Sequence, residues 1–276
     1  MTETIAGLLT SYNEPVEYLK ESVESMLNQT YALSELVVVI DDPTNQASRA
    51  YLRSINDQRI TILENEKNLG LPMSLNRGLS VIKSNYVARM DSDDVAHLDR
   101  LEKQMRCLLD NQLDFVASNV NDMDESGHML GTRTKYPTTD CKIKKYLKYG
   151  DPLPHPSWLV KRSVFDQLGG YHDILACEDY EFIIRAAQVD VKFGLINEPL
   201  IDYRINANGI TQMNQVRQTI VSDWLQNRYR RKEMIDFADL HQYLESDQAR
   251  SRSNKLKMKQ RNLMSLYYKL RRKLIV

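Results

Sequence analysis

Over the first 120 residues the apolar positions switch repeatedly between two periods. Thr4–Thr10 reads as a short buried strand, and Val16, Leu19, Val23, Met26 and Leu27 then recur at helical spacing. Leu36–Ile40 is a continuous, β-branched apolar run, the signature of a strand covered on both faces and hence of a parallel sheet. The alternation continues with a helix over Gln46–Ile55, a strand Ile60–Leu63, a helix Pro72–Ile82, a strand Tyr86–Met90, a helix Leu98–Leu109 and a strand Leu113–Ser118. Strands alternating with helices predict a doubly wound, mostly parallel α/β sheet, in which ligands bind beyond the C-terminal strand ends. Ser11, Asp41 and Asp91 all fall at such ends and should meet on one rim.

Beyond residue 120 the texture changes. Asn121–Pro137 is polar and reads as a hairpin or loop, Cys141–Tyr149 as a short helix, and His155–Val160 as a loop running into a strand. Glu178 opens a helix to about Gln188, and Val191–Ile196 and Leu200–Ile205 read as two strands. From Thr211 the chain is polar with helical periodicity. The expected organisation is one domain over 1–210, with halves 1–118 and 119–210, followed by a helical extension over 211–276.

Charge adds an asymmetry that the net value of zero conceals. Residues 250–276 hold ten Lys or Arg and no acid, so residues 1–249 carry about minus ten. Leu256, Leu263, Leu266, Tyr267, Leu270 and Leu274 share one helical stripe, with most cations elsewhere on the wheel. Such a basic amphipathic tail suits an anionic membrane surface; packing on the acidic body and a disordered basic end are the competing readings. No nucleic-acid motif accompanies the charge, so no nucleic-acid partner is expected. Cys107, Cys141 and Cys177 lack metal or redox spacing, and neither a signal peptide nor a membrane-spanning run is evident. A cytoplasmic protein is expected, peripheral at the inner face of the plasma membrane if the tail binds there.

Chemistry concentrates in Asp91-Ser92-Asp93-Asp94, directly after an apolar strand. Three carboxylates within four residues repel one another, and a cation there relieves the repulsion. Oxygen-only ligands on a tight turn suit Mg2+ or Mn2+, which leave positions open for phosphates. A solvated turn holding three acids is the alternative; a calcium loop is excluded because Val95 and Ala96 occupy positions needing a ligand and a glycine. Asp41-Asp42 ends a second buried strand and reads equally as a cap or as an acceptor for a nucleobase or ribose. Glu178-Asp179 reads as acids favoured by a helix N-terminus or as a general base. His155, between prolines, reads as structural or catalytic.

Taken together and in order, Thr10-Ser11-Tyr12-Asn13-Glu14, Asp41-Asp42, Asn68-Leu69-Gly70, Asn76-Arg77-Gly78, Asp91-Ser92-Asp93-Asp94, Arg100-Leu101-Glu102-Lys103-Gln104, His155-Pro156-Ser157, Gly169-Gly170-Tyr171 and Glu178-Asp179-Tyr180 resemble an inverting family 2 glycosyltransferase of GT-A fold. The resemblance covers residues 4 to about 205. It implies a nucleotide-sugar site formed by Thr10, Ser11, Tyr12, Glu14, Asp41, Asp42, Asn68, Gly70, Asn76, Asp91 and His155, with Asp41 accepting from the base. It implies a DxD motif in which Asp93 is the metal ligand and Asp91 its support, and Asp179 as catalytic base with Glu178 beside it. The implied donor is a UDP-sugar, with Mn2+ or Mg2+ as cofactor. The implied acceptor is a glycan, plausibly lipid-linked, in polysaccharide or O-antigen assembly. Pro43 stands where the family usually has glycine and fixes the backbone after Asp42, so that loop is expected to be shaped differently. A sugar nucleotidyltransferase shares the sheet and metal logic but needs a Gly-rich basic loop where Ser11-Tyr12-Asn13-Glu14 stands. A non-catalytic sugar-binding or membrane scaffold is the other alternative.

Overall fold

The computed structural model describes residues 3–133, 136–174, 176–206 and 214–259. Its strands are β1 (Ile5–Ser11), β2 (Glu35–Ile40), β3 (Ile60–Glu64), β4 (Tyr86–Asp91), β5 (Val95–Ala96), β6 (Phe115–Met123), β7 (Met129–Arg133), β8 (Leu159–Lys161) and β9 (Phe193–Arg204). The helices between and after them are α1 (Val16–Leu27), α2 (Gln46–Ser54), α3 (Leu71–Leu79), α4 (Arg100–Asp110), α5 (Asp140–Tyr146), α6 (Arg162–Leu168), α7 (Glu178–Gln188), α8 (Gln215–Arg230) and α9 (Phe237–Glu245), and His155–Ser157 forms a short 3-10 turn.

One sheet runs β3-β2-β1-β4-β8-β6-β9-β5, with β7 paired to β6. Its first half is parallel throughout, as the apolar runs predict. The second half is mixed: β8 is antiparallel to β4 and β6, whereas β6 and β9 run parallel. Strand alternation sends Ala6, Leu8, Val37 and Val39 to one face and Ile5, Leu9, Leu36, Val38 and Ile40 to the other. On the second face α1 and α4 cover the sheet with Leu19, Val23, Met26, Leu101, Met105 and Leu108. Each such side chain contributes about 1.5–3 kcal/mol by leaving water. On the first face α3 lies so close to β1 that a Cβ on Gly78 would stand 2.3 Å from Leu8 Cδ1. Glycine is what permits that approach.

Several elements differ from the pattern-based expectation, the two-residue β5 among them. β6 continues past Ser118 to Met123 because β7 returns beside it as a hairpin. The two strands expected over 191–205 are one bent strand, β9, whose pairing with β6 slips twice around Asn119. Glu198-Pro199 break the apolar period there without ending the strand, as at a bulge. α6 was not expected at all. The extension joins the main core: Val221, Trp224, Leu225, Ile235 and Leu240 share the cluster that holds Phe182 and Ile183 of α7. Most of the basic tail, from 260 onward, lies outside the described residues. Among those described, no helix is long and apolar enough to cross a membrane.

Candidate active site

Register places the predicted rim residues side by side: Ser11 pairs with Ile40, and Thr10 with Asp91. Ser11 is buried and its Oγ has no hydrogen-bond partner, whereas Tyr12 is half-exposed. The Tyr12 N–H donates to Glu14 Oε2 at 2.9 Å, and Glu14 Oε1 is buried without a partner.

Asp41 is buried and shapes the neighbouring loop. Its Oδ1 accepts from Asn65 Nδ2 at 2.6 Å and from the Leu69 N–H at 2.8 Å, and its Oδ2 accepts from the Gly70 N–H at 2.9 Å. Asn68 Oδ1 accepts from the same Gly70 N–H. Gly70, at φ +81°, turns the chain into α3 in a conformation that favours glycine. Asp42 instead accepts from Thr44 N–H and Oγ at 2.7 Å each, which holds its carboxyl below the usual range. Pro43 lies within that local turn, between Asp42 and Thr44. Asn76 acts across the fold: its Nδ2 donates to Tyr171 O at 2.7 Å and its Oδ1 accepts from Tyr171 N–H at 2.8 Å. The amide is thereby committed to clamping the Gly170-Tyr171 turn.

The acidic turn after β4 divides its labour. Asp91 is paired with Arg89, a buried cation two residues earlier on the same strand. Asp93 is pushed up to about 7, first by burial and then by the charges of Asp91 and Glu14. Asp94 is fully buried and faces backward: its Oδ1 accepts from the Arg204 N–H at 2.8 Å, and its Oδ2 has no partner. Arg204 also donates from Nε to Asp93 O at 2.8 Å and from Nη2 to Glu21 at 2.6 Å, and lies 4.0 Å over the Tyr18 ring. The end of β9 therefore grips the turn from behind.

The second acidic group opens α7. Glu178 is buried and pushed up to about 8, by burial first and then by Asp179. Asp179 is half-buried and likewise raised, chiefly by burial, although its Oδ1 accepts from Tyr180 N–H at 2.7 Å. Arg89 is the cation that both acids feel. His155 is buried, with Nε2 3.0 Å from the Tyr171 hydroxyl and Nδ1 3.9 Å from Glu178 Oε1. Burial holds its pKa well below the usual value, so the ring is neutral. His155 thus meets the site through Glu178 and Tyr171.

Two residues of the Arg100–Gln104 motif brace this arrangement. Arg100 donates to the carbonyls of Arg89 (2.9 Å) and Trp158 (3.2 Å), and Gln104 Nε2 to Ser157 O at 2.6 Å. They tie β4 to the 155–158 turn. Three further contributors were missed by sequence reasoning: Arg89, Arg204 and Asp151, a half-buried acid close enough to Asp179 for their charges to repel. Arg89 did carry a signal, since a lone cation within a doubly covered strand demands a carboxylate.

Among the described residues no three His, Cys, Asp or Glu side chains form a complete cation cage. The chemistry of the donor set nevertheless fits a hard divalent ion. Asp93 feels the like charges of Asp91 and Glu14, and Glu14 Oε1 is a buried oxygen with no partner. A partial set of carboxylates suits Mg2+ or Mn2+, which fill remaining positions with water and phosphate.

A mixed α/β sheet with its acids at the strand C-terminal rim defines a GT-A-like transferase, and the comparisons agree. The Glycosyl transferase family 2 profile matches residues 8–169, and the chain belongs to that family. The match contains the rim of β1, β2 and β4 and stops before Glu178. Escherichia coli O-antigen biosynthesis glycosyltransferase WbnJ is 31% identical over 194 residues, 69% of this chain and 75% of that one. The E. coli UDP-Gal:alpha-D-GlcNAc-diphosphoundecaprenol beta-1,3-galactosyltransferase is 26% identical over 231 residues, 80% of this chain and 81% of the other. In fold, the chain resembles residues 1–349 of S. aureus TarS in complex with UDP-GlcNAc, at TM-score 0.67 and 15% identity, over 87% of this chain and 70% of that one. The chain is a glycosyltransferase with relatives named for O-antigen and amylovoran biosynthesis, which sets aside the nucleotidyltransferase and scaffold alternatives.

Proposed function

We propose that this glycosyltransferase moves one sugar from a UDP-linked donor to a hydroxyl of a lipid-linked glycan, with inversion, in polysaccharide or O-antigen assembly. One observation supports the reading most: Arg89 is ion-paired with Asp91, and its charge also acts on Glu178 and Asp179 at the start of α7, so the two acidic groups lie near one another. The names of the galactosyltransferase relative and of the TarS complex support the lipid-linked acceptor and the uridine donor.

In this reading Thr10, Ser11, Tyr12 and the Asp41-shaped loop 65–70 line the nucleoside side. Asp93, supported by Asp91 and Glu14, would hold Mg2+ or Mn2+, which when bound neutralises the departing diphosphate. Asp179 takes the proton from the acceptor hydroxyl. That oxygen bonds to the anomeric carbon from the face opposite the diphosphate, the carbon–oxygen bond to the diphosphate breaks, and the configuration inverts. Glu178 stands beside the base in sequence and feels the same Arg89 charge. A raised carboxyl at Asp179 suits the task, because a weaker acid is a stronger base once ionised. Calorimetry with UDP and Mn2+, paired with analysis of the product anomer, tests the reading. Metal-dependent UDP binding and a β-glycoside from an α-linked donor are expected; a retained α-linkage refutes the single displacement.

A further inference from the structure

We infer that the outward face of α5 and the turn after it, together with the end of α8, is the surface on which the protein rests against an anionic bilayer. Lys142, Lys145 and Lys148 are all exposed there, and none makes an ion pair or side-chain hydrogen bond among the described residues. By contrast Lys144, on the same helix, is paired with Asp140 and Asp190. Ile143 and Leu147 point the opposite way into the core, so the lysines are held outward by the helix itself.

Two tyrosines complete the surface. Tyr149 is 69% exposed and Tyr146 38%. Arg230, exposed at the end of α8, lies 5.5 Å over the Tyr149 ring, and Gln226 Nε2 donates to Tyr149 O at 3.2 Å, which fixes the two elements together. Unpaired cations beside exposed amphipathic rings match the charge and the interfacial depth of a headgroup layer. The placement also follows from chemistry, and here the inference rests on the proposed lipid-linked acceptor. Tyr180 of α7 donates from its hydroxyl to Leu147 O, and the turn leads directly to Asp151, whose charge meets that of Asp179. An acceptor anchored in the bilayer would therefore arrive beside the proposed base. This surface lies in the folded body, on residues 142–149 and the end of α8.

The test uses the full chain and sedimentation with vesicles of phosphatidylglycerol and phosphatidylcholine, against phosphatidylcholine alone. At roughly 1 kcal/mol per cation near an anionic surface, each lysine is worth about five-fold and the K142Q/K145Q/K148Q triple about a hundredfold in vesicle affinity. Lys83→Gln, an exposed lysine elsewhere without an ion pair, should change little. Cys141 is exposed on the same face, and a polarity-sensitive dye placed there in a Cys107→Ser background should shift to the blue on anionic vesicles only. The proposal is overturned if the triple variant binds like the wild type. It is equally overturned if the protein sediments with no dye shift, or if it binds single-stranded oligonucleotide and not vesicles. UDP binding, measured on the same triple variant, should be unchanged. Its absence from the wild type would remove the donor reading while leaving the vesicle result intact.

Discussion

Arg89 and Asp91 form a two-pronged ion pair inside one strand, with Nη1 of the arginine donating to Asp91 Oδ2 at 2.9 Å and Nη2 to Oδ1. Arg89 is 1% exposed and its Nε has no partner. A buried cation of this kind is held by its ion pair, here the carboxylate of Asp91. Removing it should leave the Asp91 carboxylate without its buried counter-charge. Arg89→Met is expected to cost about 3–5 kcal/mol of stability, the usual penalty for breaking a buried pair, and to lower transfer by roughly a hundredfold. The double variant Arg89→Met/Asp91→Asn should recover most of the stability and none of the activity, as chemical denaturation and a transfer assay can show. A double variant as unstable as the single would mean the pair is not the source of the loss.

Asn76 and Gly170 meet across the fold. A Cβ on Gly170 would stand 2.4 Å from Asn76 Oδ1, and Gly170 sits at φ +77°. Gly170→Ala should therefore destabilise by about 1–3 kcal/mol, through strain and displacement of the amide. Asn76→Ala, which strands the N–H and C=O of Tyr171, should cost a similar amount. If Asn76 instead contacts the donor directly, Asn76→Ala will weaken UDP binding with no change in melting temperature.

Glu178 makes stability depend on pH with a definite sign. Its carboxyl titrates near 4.5 when unfolded and near 8 when folded. Between those values the native chain keeps a proton that the unfolded chain has released, so stability falls as pH rises from about 4.5 to about 8. Glu178→Gln should flatten that decline in denaturant midpoints collected across the window. A slope identical in wild type and variant would remove Glu178 as its origin.

Asp93 couples metal binding to protons. With its carboxyl near 7, a divalent ion must displace a proton below that pH. Mn2+ affinity should rise toward about tenfold per unit below pH 7 and level off above it. Calorimetry in buffers of different ionisation enthalpy should record the released proton. Asp93→Asn should lose both the binding and the pH dependence; an affinity constant between pH 6 and pH 8 would contradict the assignment.

The parallel half of the sheet was legible because Leu36–Ile40 and its neighbours combine period, length and β-branching, which are local signals. β9 was not, since Pro199 interrupts the apolar period while the pairing with β6 merely slips past it. The rim at Ser11, Asp41 and Asp91 followed from topology. Roles within it did not: Asn76 matched a donor-site motif, yet its amide serves Tyr171, 95 residues away. His155 likewise engages Tyr171 and approaches Glu178, partners that only the folded chain brings near. Arg204 gave no local signal, because the turn it grips lies more than 100 residues earlier.

The central claim is that Asp179 is the base of a transferase site shared with the acidic turn at Asp91–Asp94. Transfer and donor binding by Asp179→Asn test it most directly. UDP-sugar binding within a few-fold of wild type is expected, with transfer reduced by about a hundredfold to ten-thousandfold, the range that a positioned base supplies. Turnover at the wild-type rate would contradict the claim.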